Sequence, residues 1–244
     1  MIKETSQSEI NFLSGPQSRW KDLKFTADTF FQMIKGFRAL HFAGPCITFF
    51  GSARFKDGHE YYTLTRTIAS EFARLGFTIM TGGGPGLMEA ANRGAKDVGG
   101  RSVGCNIKLS LEQIPNNYLD RWVNMKHFFI RKVLLVKYSY AFVVMPGGFG
   151  TMDEYFEALT LIQTRKIKDF PVIIFCKDFH KELLQHIDQM YTQGAISDKD
   201  RRLYLVTDSI EEAVKLIKER CIKRYNLVSK KPLSPLRLLF ERRW

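Results

Sequence analysis

Short, continuously apolar runs alternate with amphipathic segments along most of this chain, and that alternation limits the folds open to it. The runs at 45–52 (PCITFFGS), 77–81, 102–107, 122–128, 140–145, 171–175 and 204–207 have strand length and little internal polarity. Segments between them carry helical periodicity. Leu64, Ile68, Phe72 and Leu75 recur at spacings of three and four within 61–75, and Gly76 stands where a helix C-cap would. Helices are likewise expected over 85–97, 130–138, 151–164, 179–191 and 209–225. Strands that alternate with helices form βαβ units around a parallel sheet. Strands that are apolar on both faces belong to a sheet covered on both sides. The expected fold is an α/β, Rossmann-like doubly wound parallel sheet over residues 43–226. An N-terminal extension, 1–42, is mainly one helix, and a basic tail occupies 227–244.

The extension is expected to form a helix over 20–42. Trp20, Leu23, Phe30, Phe31, Ile34, Phe37 and Leu40 fall mostly on one side, which should pack on the domain or on another subunit. Within the tail, 229–244 is a docked or frayed segment on its composition, with membrane or nucleic-acid contact a weaker reading.

Composition narrows the function classes. Lys plus Arg number 37 against 25 Asp plus Glu, a formal net charge of +12, so the surrounding field attracts anions. Nucleic acid is a poor partner, because the basic residues form no dense run outside the tail. No apolar stretch approaches the roughly 18 residues of a membrane span. Cys46, Cys105, Cys176 and Cys221 form no CxxC pair, and the first three lie in apolar runs. Together with a polar start that lacks a secretory apolar region, this points to a reducing, cytoplasmic setting. The five histidines show no metal-ligand spacing, so no metal is expected.

Ligands of open α/β sheets bind beyond the carboxyl ends of the strands. Two glycine loops stand there, TGGGPGLMEA (81–90) and PGGFGTMDE (146–154), each running from a strand into a helix. A backbone without Cβ atoms lets an anion approach its N–H groups, and a helix start adds free donors. G-x-G-x-x-G and the Walker A lysine are absent, which favours a mononucleotide or another phosphorylated small molecule over NAD or ATP. Thr151 to Glu154 spells T-x-x-E, so Glu154 either closes a capping box or points into the cleft as a catalytic carboxylate. Arg131 and Lys132, at the expected start of a helix, either hold an anion or form a solvated pair. For Lys132 the solvated pair is the better reading. Ser52, ending the first strand, either caps a helix or contacts the ligand.

The stretch GGGPGLMEAANRGA with PGGFGTMDE resembles the LONELY GUY (LOG) family of cytokinin riboside 5′-monophosphate phosphoribohydrolases. Its P-G-G-x-G-T-x-x-E signature is matched at every fixed position, and Arg131-Lys132 matches its upstream Arg-Lys pair. The resemblance covers about residues 47–219. It implies hydrolysis of a nucleoside 5′-monophosphate to free base and ribose 5-phosphate, without metal or organic cofactor, in a homo-oligomer (dimer or higher). It also implies roles for residues. Glu154 and Arg131 would be catalytic. Ser52, Gly83, Gly84, Met88, Glu89, Lys132, Pro146, Gly147, Gly148, Gly150 and Thr151 would bind substrate. Members often carry a lysine decarboxylase label, but the sequence shows no recognisable site for the electron sink that amino-acid decarboxylation normally needs. A rival reading is a carrier of a phosphorylated ligand such as molybdenum cofactor, which shares the Rossmann-like fold.

Overall fold

The computed structural model describes residues 15, 18–108, 114–223 and 227. The tail at 229–244 and the polar start at 1–11 lie outside the described residues. Helix α1 (Arg19–Leu40) leads into strand β1 (Cys46–Phe50). The chain then runs α2 (Glu60–Arg74), β2 (Thr78–Thr81), α3 (Leu87–Asp97), β3 (Ser102–Ile107) and β4 (Arg121–Met125). The second half is α4 (Phe128–Tyr138), β5 (Ser139–Val144), α5 (Phe149–Gln163), β6 (Val172–Phe175), α6 (Lys181–Thr192), β7 (Leu205–Thr207) and α7 (Ile210–Ile217).

All seven strands are parallel, in the order β4-β3-β2-β1-β5-β6-β7. This is the doubly wound sheet expected from the sequence. Alternate strand residues feed two cores. Ile47, Phe49, Ile79 and Val143 pack under α2, α3 and α7. Cys46, Phe50, Met80, Cys105 and Val144 pack under α1, α4, α5 and α6. Both faces of the central strands are buried, which is why their sequences show little alternation, whereas edge strand β4 leaves Trp122 exposed.

Helix ends follow local chemistry. His59 Nδ1 accepts from the Tyr61 N–H at the start of α2. Gly76, at φ +91°, closes that helix as expected from the sequence. Ser209 Oγ caps α7 by accepting from the Glu212 N–H. Beyond α7 the chain widens into a π-helix, Lys218–Lys223, rather than continuing as one α-helix.

Three expectations need correction. Helix α4 starts at Phe128, so Arg131 and Lys132 stand a turn inside it rather than at its dipole end. Helix α5 starts at Phe149 with Gly148 as N-cap, so Thr151 is not the capping residue and T-x-x-E is no capping box. The apolar face expected for α1 is mostly not packed within the chain. The end of the helix docks most fully, with Leu40 and Gly36 buried and Gly36 set against Leu134 of α4, while further back Asp28 bonds His127 and Phe25 packs on its ring. Trp20, Phe30 and Phe31 remain exposed.

Candidate active site

The order of the sheet reverses between β1 and β5, and the crevice opens at their carboxyl ends. The two strand exits are tied together there: the Ser52 N–H donates to the Pro146 carbonyl at 3.0 Å. Above them lies a cavity of about 830 Å³. Its walls include Ser52, Met88, Arg131, Gly147, Gly148, Gly150 and Thr151 from the residues expected at the site.

The second glycine loop forms the start of α5, and its glycines serve different ends. A Cβ at Gly147 would meet Thr151 Oγ1 at 2.1 Å, so that glycine lets Thr151 fold back on the loop. Gly148 and Gly150 face open space within 4 Å. The first N–H groups of a helix have no carbonyl behind them. No acidic side chain lies in the first turn of α5. That end therefore presents free donors and uncompensated positive dipole to the cavity.

One turn further along α5, Glu154 is 2% exposed and accepts a 2.8 Å hydrogen bond from Arg131 Nη1. Arg131 also donates from Nε to the Cys105 carbonyl at 3.0 Å. Two anchors from different strand–helix units thus fix one guanidinium. Burial pushes the Glu154 carboxyl above the ordinary carboxylate range, and the charges of Arg131 and Lys132 oppose that shift. The result is a carboxylate held in a dry place behind the cavity wall by one strong partner, Arg131.

The first glycine loop is built mainly for its own support. Gly86 has φ +70°, and a Cβ there would lie 2.5 Å from the Ser52 carbonyl. Gly82 makes room for Met88 and for Arg131 Nη2, which a Cβ would meet at 3.1 Å. Gly83 donates its N–H to Thr81 Oγ1, and its carbonyl accepts from the Asn116 N–H. The Gly84 carbonyl accepts from Asn116 Nδ2. Asn92 completes this buried network, bonding Thr81, Asn116 and Ser102.

Gly83, Gly84, Glu89, Lys132, Pro146 and Glu154 are not among the residues that line the cavity; Glu154 is joined to its wall through Arg131, which does line it. Glu89 accepts from the Tyr62 hydroxyl at 3.0 Å. Lys132 Nζ sits 2.9 Å from both Asp153 and Glu157 on α5. Pro146 is buried below the loop and contributes the carbonyl bonded to Ser52. Sequence reasoning missed Asn106, Phe128 and Phe149, all of which line the cavity. Asn106 had a readable signal, being a polar residue at the carboxyl end of an apolar strand.

A family model described as possible lysine decarboxylase, which is the LOG family, matches residues 88–217, more than half of the chain. The chain belongs to the LOG family. Its similarity to individual members is modest. A cytokinin riboside 5′-monophosphate phosphoribohydrolase of Arabidopsis thaliana, LOG4, is 27% identical over 179 residues, 72% of this chain and 82% of the relative. The protein of that name from Rhodococcoides fascians is 29% identical over 176 residues, 70% of this chain and 88% of the relative. Among solved structures, a molybdenum cofactor binding protein of Rippkaea orientalis superposes with a TM-score of 0.54 at 21% identity, covering 72% of this chain and 94% of that one. A molybdenum cofactor carrier protein of Chlamydomonas reinhardtii gives 0.52 at 19% identity, covering 74% and 99%. At such identities these two structures speak for the fold of this LOG-family chain and for nothing further.

Proposed function

We propose that this LOG-family chain hydrolyses the N-glycosidic bond of a nucleoside 5′-monophosphate, AMP or an N6-substituted AMP such as isopentenyladenosine monophosphate. The buried Arg131–Glu154 pair beside the open start of α5 carries this reading. The 5′-phosphate sits at the amides of Gly148 and Gly150 with Thr151, where dipole and free N–H groups favour an anion. Ser52 stands at the same rim. The C1′–N bond breaks with its electron pair moving onto the base. Glu154 faces the oxocarbenium-like ribose and accepts a proton from the attacking water, whose oxygen bonds to C1′. Arg131 supports the charge gathering on the base, which takes a proton from solvent as it leaves, while Glu154 later gives the proton it accepted back to solvent. The products are free base and ribose 5-phosphate. In the cell such a reaction serves cytokinin activation or nucleotide salvage. Four free, buried cysteines suit a reducing cytoplasmic setting, and among the described residues no helix is long and apolar enough to cross a membrane. The protein is further read as a homo-oligomer, because Phe149 at the cavity mouth is 97% exposed and Trp20 is 79% exposed.

The decisive experiment follows free base by chromatography from AMP and isopentenyladenosine monophosphate. Glu154→Gln should lower the rate by about 10²–10⁴-fold, the range for a positioned acid–base group, while nucleotide binding persists. Turnover retained in that variant would remove Glu154 from the chemistry. Binding of both nucleotides without base release from either would favour the carrier reading instead.

A further inference from the structure

Asn106 is 2% exposed at the end of β3 and lines the cavity beside Arg131. Its amide orientation is fixed, because Oδ1 accepts the Ile107 N–H at 2.8 Å. Only a carbonyl oxygen can take that bond, so Nδ2 is the other terminus. Nδ2 is buried and has no hydrogen-bond partner among the described residues. A buried donor left unmade is costly and calls for a specific explanation, and in the wall of a binding cavity a ligand atom is one that fits.

We infer that Asn106 Nδ2 donates to an acceptor atom on the departing base. This rests on the nucleotide hydrolase reading above. The phosphate end of the site is at β5, and Asn106 ends β3, three strands away in the order β3-β2-β1-β5. At about 4.8 Å per strand, that is roughly 14 Å along the carboxyl edge, the span of an extended nucleoside monophosphate. The neighbouring carbonyl, that of Cys105, anchors Arg131. Asn106 therefore stands on the base side of the Arg131–Glu154 pair and away from the phosphate. Purines and pyrimidines both carry ring or carbonyl acceptors, and an N–H directed at one steadies the charge that the base gathers as it leaves. A base that presents a donor at that position would be refused.

Calorimetry on the full chain carrying Glu154→Gln keeps AMP intact and reads the contact without turnover. Adding Asn106→Ala should weaken AMP about tenfold, the loss of one hydrogen bond at the upper end of the neutral range. Ribose 5-phosphate binding should stay within about twofold. Asn106→Asp keeps the acceptor for the Ile107 N–H while replacing the donor. It should weaken AMP at least as much, with the melting midpoint unchanged. Equal losses for AMP and ribose 5-phosphate would place the donor on the sugar and overturn the inference. AMP affinity unchanged in both folded variants would overturn it too, as would a chain that binds no AMP at all. Base release is measured separately with Glu154 intact. If the unsubstituted chain releases none while AMP affinity still depends on Asn106, the hydrolase reading falls and the contact stands.

Discussion

Lys132 and Glu154 stand close enough in space to feel one another's charge and differ in what holds them. Lys132 spans Asp153 and Glu157 on α5 and contributes to the field at Glu154 without reaching the cavity wall. In the proposed reaction Glu154 acts as an ionised group, and burial pushes its pKa up. Activity should therefore fall as pH drops through a midpoint above the usual glutamate value of 4.5. Removing the Lys132 charge takes away one of the influences that lower that pKa. In Lys132→Gln the acid limb of kcat should move to higher pH, with KM within about twofold of the original. A KM that rises several-fold at unchanged limb would instead put Lys132 on the substrate. Arg131 and Glu154, proposed above to bear the chemistry, were singled out by the family resemblance, and the structure pairs them. What the spacing could not decide was the partner of Glu154. T-x-x-E fits a cap only if the helix begins at Thr151, and two glycines with a phenylalanine start it earlier. Asn106 escaped because its signal, one polar side chain at the carboxyl end of an apolar strand, is positional, whereas the strands were read from their apolar runs.

At the scale of elements, the strands were legible because burial on both faces leaves them uniformly apolar. Helix starts were less so, since α3, α4 and α5 begin without a side-chain cap. Packing between helices was not readable at all. α2 and α3 approach so closely that a Cβ on Gly94 would stand 2.1 Å from the Arg66 carbonyl oxygen. Backbone cannot yield as a side chain can, so Gly94→Ala should force the two helices apart. The expected cost is about 3 kcal/mol, the upper part of the range for overpacking, read as a lowered denaturant midpoint. A midpoint within about 0.5 kcal/mol of the original would show that the pair slides without penalty. The seam between α1 and α4 rests on the same device, with Gly36 against Leu134. That seam is narrow, which leaves most of the α1 aromatics outside the core.

The whole molecule exposes more aromatic surface than a solitary domain needs. Trp20, Phe30 and Phe31 on α1, Phe128 and Phe129 on α4, and Phe149 on α5 are each at least 47% exposed. Exposed apolar surface on this scale points to association. Light scattering should give a mass of at least twice 28.2 kDa. A monomer at micromolar concentration would contradict the oligomer and leave those rings to water. The order of the sheet also sets a schedule for folding. Central β1 pairs on one side with β2, close by in sequence, and on the other with β5. Thr48 and Ser139, bonded across that second junction, lie 91 residues apart. At ribosomal speeds this separation takes roughly 5–20 s to synthesise, during which a wholly apolar strand edge waits without its neighbour. The Ser52–Pro146 and Arg131–Glu154 bonds both join residues from before β5 to residues after it, so the cavity cannot exist until that late strand docks. A newborn chain must stay shielded from its siblings over this interval, and its output depends on whatever guards it there as much as on the finished site.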